Sequence, residues 1–275
     1  DYVSNHVHEE NPIIKAHPDW ATALDLPDGR KNIRIWDEQR LTTWFDVFLP
    51  TLDFSKPEVT ELMTDSALYM LQKYDLDGFR HDATKHIPET FWRRLTQKIK
   101  QNCKRPVYQI GETFGSRELI GSYVSSGQMD GQFDFNLYFD LRSVLAGEKT
   151  SFRKLDESMH ASIQQYGCNS LMGNITGNHD IARFISYAGK GLSFSEDDKI
   201  AGWTRDIQVE DTIGYEKLKL LTAFIMTAPG VPVIYYGDEV GMPGAGDPDN
   251  RRPMKFTDLS RQEQSVRDNA KTLIS

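Results

Sequence analysis

Three acidic residues each close a short apolar run with polar chemistry. The runs end in Gly78-Phe79-Arg80-His81-Asp82, in Ile110-Gly111-Glu112 and in Thr176-Gly177-Asn178-His179-Asp180. Two carboxyl groups that face each other can divide the work of cleaving an acetal. One protonates the leaving oxygen while the other attacks or shields the cation-like carbon. Side chains alternate along a strand, so Gly78, Arg80 and Asp82 share one face and Phe79 and His81 the other. A guanidinium beside Asp82 favours its ionised form, as the attacking group requires. Glu112 would need a proton, and like charges on Asp82 and Asp180 nearby would help it keep one. Taken singly, each residue has a plainer reading. An aspartate at a strand end is often a cap or turn residue, Arg80 could pair with any surface acid, and His81 is structural on either view. It is Arg-x-Asp, Gly-Glu and Asn-His-Asp in this order, each closing a strand, that favours the chemistry.

Such groups converge only if the strands run parallel. Segments 75–82, 106–112, 132–139, 171–179 and 231–236 read as strands, and 1–6 as the tail of another. The 132–139 assignment rests on alternating Phe133, Phe135, Leu137 and Phe139. Between the strands, Glu89–Asn102 reads as a helix with Phe91, Trp92, Leu95 and Ile99 at helical spacing, and 215–227 as another. Strands alternating with helices imply a parallel sheet with right-handed crossovers. In a barrel of that kind, catalytic groups sit at the C-terminal strand ends. Two segments, 7–49 and 188–211, fit no strand–helix unit and read as loops over the active face. The first carries Trp20, Trp36, Trp44 and Phe45, which favours order over a solvated excursion.

The formal charge of −8 over 275 residues argues against nucleic acid, which selects a basic stripe, and against anionic substrates or membrane surfaces. It suits a neutral ligand such as a sugar. Cys103 and Cys168 fit neither a Cys-x-x-Cys nor a zinc spacing, and two free thiols are expected. No apolar run approaches the length of a membrane span. The chain opens on Asp1 without an initiator Met and is expected to be cut from something longer or processed.

These motifs together resemble the α-amylase family, glycoside hydrolase family 13. Asp1-Tyr2-Val3-Ser4-Asn5-His6 is similar to its first motif, and Gly78 to His86 fits the second, Gly-Phe-Arg-x-Asp-x-x-Lys-His, at every fixed position. Gly111-Glu112 matches the third motif and Asn178-His179-Asp180 the fourth. Asp247-Pro248-Asp249-Asn250-Arg251 resembles a further loop after the last strand. The resemblance implies a (β/α)8 TIM barrel with a small domain inserted after the third strand, here the short 7–49 segment. It implies three catalytic acids: Asp82 as nucleophile, Glu112 as acid and then base, and Asp180 as the group that holds sugar hydroxyls and stabilises the transition state. It implies that His6, Arg80, His179, Asp247 and Arg251 bind the glucosyl unit before the cleaved bond, with Asp1 orienting Arg80. Lys85 and His86 would meet the glucose after it.

The implied substrate is an α-glucan, with maltooligosaccharides, cyclodextrins or pullulan favoured by the stretch 247–254. The same site would serve transglycosylation. Extracellular or periplasmic placement is what the family favours. No cofactor is required, but calcium is an expectation to test. Asn5 and the His86 carbonyl are family ligands, whereas Thr51 stands where many members carry a ligating Asp, and hard cations bind largely through carboxylates. Counted against the family, the 275 residues are expected to begin at the end of the third strand, without the barrel's first two strands or the domain that usually follows it. A barrel so opened exposes sheet edges, so these residues alone are expected not to form an active enzyme. Two other classes stay open. His6-Val7-His8 could ligate metal in a metal-dependent barrel hydrolase, leaving Arg80 and Glu112 without a role. A non-catalytic glucan-binding relative would keep the fold but would have no use for the three acids.

Overall fold

The computed structural model describes residues 1–147 and 151–275. They divide into two units, Asp1–Phe133 and Asp134–Ser275. In the first, strands β1 (Gly78–His81), β2 (Tyr108–Gly111) and β3 (Gly131–Gln132) form a parallel sheet in that order. The register sets Arg80 beside Ile110 and His81 beside Gly111. Segment 1–6 lies along the other edge of β1. Tyr2 N donates to Arg80 O at 2.8 Å and Asp82 N to Tyr2 O at 3.1 Å. Gly78 is demanded by the pairing, because a Cβ there would lie 1.8 Å from the Tyr108 carbonyl oxygen. The alternation on β1 buries Phe79 and His81 and turns Gly78 and Arg80 to the opposite face.

Parallel neighbours need long crossovers, and helices Pro57–Tyr74 and Glu89–Asn102 supply them. The second has the expected bounds. Phe91, Trp92, Leu95 and Ile99 are all buried, since spacings of three and four residues line one stripe. The 7–49 segment is held by hydrogen bonds more than by regular elements. It has a short α-helix, Pro12–Ala16, a single 3-10 turn, Pro18–Trp20, and isolated bridges such as Ile33 to Trp44. Trp44 Nε1 donates to the Thr22 carbonyl at 3.1 Å, and Asn32 Nδ2 to the Ala23 and Thr42 carbonyls at 3.1 and 3.0 Å.

In the second unit, β4 (Gly173–Ile175) pairs in parallel with β5 (Val231–Val233). Helix Ile213–Thr227 leads into β5, close to the expected 215–227. The strand read over 132–139 is overturned. Only Gln132 belongs to a strand, and a helix, Phe135–Ala146, begins three residues later. Asp134 caps it, its carboxylate accepting from Leu137 N at 3.0 Å. Phe135, Tyr138, Leu141 and Leu145 are buried at helical spacing, and the alternating aromatic run was too short to separate the two periods. The 188–211 segment holds a short helix, Asp198–Thr204. β4 and β5 are shorter than 171–179 and 231–236: past them one more backbone bond forms, Thr176 N to Val233 O at 3.0 Å, before a side chain takes over. Tyr235 N donates to Thr176 Oγ1 at 3.0 Å. Cys103 and Cys168 are free thiols. No helix among the described residues is long and apolar enough to cross a membrane.

Candidate active site

In the first unit the polar groups gather at the C-terminal ends of β1 and β2. Arg80 is their hub. Its Nη1 reaches Asp82 Oδ1 at 2.6 Å and Asp1 Oδ1 at 2.9 Å, and its Nη2 reaches Glu112 Oε2 at 2.8 Å. Asp82 and Glu112 thus lie no farther apart than one guanidinium fork and its hydrogen bonds. Glu112 Oε2 also accepts from Ala83 N at 3.4 Å, and Glu112 N is held by His81 O at 2.9 Å and by Thr84 Oγ1 at 3.1 Å. Arg80 is therefore shared by both acids as well as by Asp1, where the sequence had paired it with Asp82 and Asp1 but not with Glu112.

Around this pair, several expected binding residues are anchored by the 7–49 segment. The His6 ring stacks on Phe45 at 4.5 Å. Burial holds its pKa below the usual imidazole value, with the Asp82 charge pulling the other way. His86 is buried against Trp36 and Phe45, with ring centroids 5.1 and 5.4 Å away, and its Nδ1 lies 2.7 Å from the Arg40 carbonyl oxygen. Burial pushes it down to about 4. Lys85 Nζ donates to the Phe114 carbonyl at 2.7 Å, and burial lowers its pKa too. Lys85 and His86 thus already hold backbone partners. Trp36, Arg40 and Phe45 were not singled out as site residues from the sequence. The signal was present as aromatic density in a segment of no regular period. His81 lies beneath the site, fully buried, its Nε2 3.1 Å from Gln109 Oε1, and burial drives it to about 3.

In the second unit a separate polar group forms after β4. Asn178 Oδ1 accepts from Asp180 N at 2.9 Å, making a tight turn. Arg251 gathers the rest. Its Nε donates to the His179 carbonyl at 2.9 Å and lies 3.0 Å from Asp247 Oδ1, and its Nη2 lies 3.2 Å from Asp180 Oδ1. His179 Nε2 is 3.4 Å from Asp180 Oδ2. Asp180, His179, Asp247 and Arg251 are therefore brought together, half-exposed, with donors and acceptors side by side.

The residues named for calcium do not fit it as they stand. Asn5 is fully buried, and its Nδ2 donates straight to the His86 carbonyl at 2.8 Å, which closes the gap a cation would bridge. Thr51 Oγ1 donates to the Thr43 carbonyl at 2.7 Å. No group of three or more His, Cys, Asp or Glu side chains among the described residues could hold a metal ion. His6 and His8, the elements of the metal-hydrolase alternative, both pack on phenylalanine rings.

Parallel strands with helical crossovers, presenting acids from their C-terminal ends, are the arrangement that TIM-barrel-type enzymes use for a carboxylate site, and the match to the alpha-amylase catalytic domain and its solved structures gives the chain that type of fold. The family model described as alpha amylase, catalytic domain, matches residues 29–274. The chain belongs to the alpha-amylase family. It is 28% identical over 268 residues to a cyclomaltodextrinase of Geobacillus thermopakistaniensis, covering 97% of this chain and 40% of that protein. It is 31% identical over 249 residues to a 4-alpha-glucanotransferase of Thermotoga neapolitana, covering 85% of this chain and 48% of that one. The alpha-amylase of Geobacillus thermoleovorans, solved with acarbose, superposes with a TM-score of 0.79 at 28% identity, over 100% of this chain and 57% of that structure. The chain thus spans less than half the length of the two curated relatives.

Proposed function

We propose that the protein carrying this chain is a retaining glycoside hydrolase that cleaves α-1,4-glucosidic bonds, with α-1,6 bonds as a further target, in maltooligosaccharides, cyclodextrins, pullulan or starch. The observation that carries this reading is the single guanidinium shared by Asp82 and Glu112. A shared arginine brings the two carboxyl groups to one site, as a pair of acids working on one glycosidic bond requires, and retention, with its separation of about 5 Å, is the outcome the family resemblance favours. Asp82 attacks the anomeric carbon and forms a glycosyl ester as Glu112 protonates the departing oxygen. Glu112 then takes a proton from water, which breaks the ester and restores both groups. In the second unit Asp180, His179, Asp247 and Arg251 offer the alternating donors and acceptors that sugar hydroxyls require. His6 offers a ring at the first.

The names of the relatives support the substrate class, cyclomaltodextrinase foremost. A second reading, transfer of the glucosyl group to another sugar, is favoured by the 31% identity to a 4-alpha-glucanotransferase. Water and a sugar hydroxyl compete for one intermediate, so the two readings share every residue. Product analysis on maltoheptaose, γ-cyclodextrin and pullulan separates them, and an α-configured first product supports retention. With Glu112→Gln and an α-maltosyl fluoride donor, Asp82 should gain the mass of the glycosyl group. Wild-type turnover by Asp82→Ala would sink the assignment.

A further inference from the structure

We propose that the buried pair Arg183–Asp238 is a positioning device that sets Asp180, His179, Asp247 and Arg251 in place. The inference rests on the reading of that group as sugar-binding.

Arg183 and Asp238 are 0% and 3% exposed and meet at 2.8 Å. Stability alone is a poor reason for such a pair, because well-packed apolar residues often serve as well or better. What the pair does is join separate stretches of backbone. Arg183 Nε donates to Asn250 O at 3.0 Å and its Nη1 to Tyr236 O at 2.8 Å. Its own backbone N donates to Gly244 O at 3.0 Å. The guanidinium lies over the Tyr235 and Tyr236 rings, 4.5 and 5.0 Å from their centroids. Asp238 Oδ2 accepts from Thr176 Oγ1 at 2.6 Å, at the exit of β4. Burial pushes Asp238 up to about 6, against the pull of Arg183.

The link to the sugar-binding group runs through Asn250. This side chain is fully buried, and its Nδ2 donates to Ile181 O at 2.8 Å, immediately past Asp180. Its neighbour in the chain is Arg251, which holds His179 and Asp180. Fixing both the carbonyl and the side chain of Asn250 therefore fixes where Arg251 starts and where the Asp180 turn ends. Only a planar fork reaches acceptors on several segments at once. A lysine would keep the charge and lose that reach.

The test is a double-mutant cycle in the complete protein with Arg183→Lys and Arg251→Ala, reading kcat and KM on maltoheptaose together with thermal unfolding. We expect Arg183→Lys to raise KM about tenfold, with kcat per folded molecule moved less. In the Arg251→Ala background the same change should add less than about twofold, because the group it positions is already lost. Asn250→Ser, which keeps the pair and cuts the link to Ile181, should give the same pattern and serves if Arg183→Lys does not fold. Additive losses, or a lowered melting temperature with KM unmoved, would overturn the positioning role alone. A wild-type protein that neither binds nor cleaves maltoheptaose would overturn the sugar-binding reading and this inference with it.

Discussion

Arg80 does for the two acids of the first unit what a compact ammonium cannot. One planar group holds Asp1, Asp82 and Glu112 together. Arg80→Lys keeps the charge and removes the fork, so one acid must lose its partner. We expect kcat on maltoheptaose to fall about 100-fold, the order reached when a catalytic group shifts by roughly 1 Å. A lysine variant with wild-type kcat would show that the fork is dispensable. The buried histidines give a second expectation. His81 is pushed down to about 3 and His86 to about 4, both by burial, from the ordinary 6.5. The unfolded chain therefore binds protons first. Their contribution to stability is complete above about 6.5 and is lost as pH falls toward 4 and then 3. Thermal melts should show the melting temperature dropping across that window, and His81→Gln should shallow the drop. Asp82, Glu112 and Arg80 were legible in the sequence because they stand two residues apart on a strand or at its end, where alternation fixes their direction. Phe45, Trp36 and Arg40 were not. Their contacts with His6 and His86 come from a segment with no period, 39 to 50 positions away, and chain spacing carries no signal for that.

Strands β1 and β2 approach so closely that the pairing itself selects Gly78. Gly78→Ala would drive a methyl group into the Tyr108 carbonyl, and the backbone cannot retreat without breaking the register that sets Arg80. We expect a loss of about 3 kcal/mol, read as a lowered denaturant midpoint, and an unchanged midpoint would refute the close approach. The same packing explains which elements could be read in advance. Glu89–Asn102 shows four buried apolar residues over more than two turns, and its bounds were recovered. At 132–139 Phe133, Phe135, Leu137 and Phe139 alternate as in a strand, but Asp134 caps a helix whose buried stripe, Phe135, Tyr138, Leu141 and Leu145, runs on past that window. The Asn5–His86 bond has its own consequence. A cation that bound only the folded protein would stabilise it in proportion to its concentration. With the amide of Asn5 already closed onto the His86 carbonyl, millimolar calcium and excess chelator should give melting temperatures within about 1 °C of each other. A rise of several degrees with calcium would mean that Asn5 turns its oxygen to a metal.

The net charge of −8 bears on how a ligand arrives. An uncharged glucan feels no long-range field, so its capture depends on contacts made after encounter and not on steering. Salt at 0.5 M screens charges beyond a few ångströms and removes any steering that exists. For maltoheptaose, kcat/KM should therefore stay within about twofold between 20 and 500 mM NaCl. The ion pairs that organise the site survive this range because they are partly or wholly buried: the side chains of Arg80 and Glu112 are 16% and 8% exposed, and those of Arg183 and Asp238 are buried outright. An anionic analogue such as a carboxymethylated dextrin meets the opposite situation. Repulsion from the acidic chain should make its kcat/KM lowest at low salt and raise it as salt is added. A steep salt dependence for neutral maltoheptaose, in either direction, would mean that exposed charges such as Arg251 and Asp247 form the binding surface largely by ion pairing, and that the buried clamps do not control it.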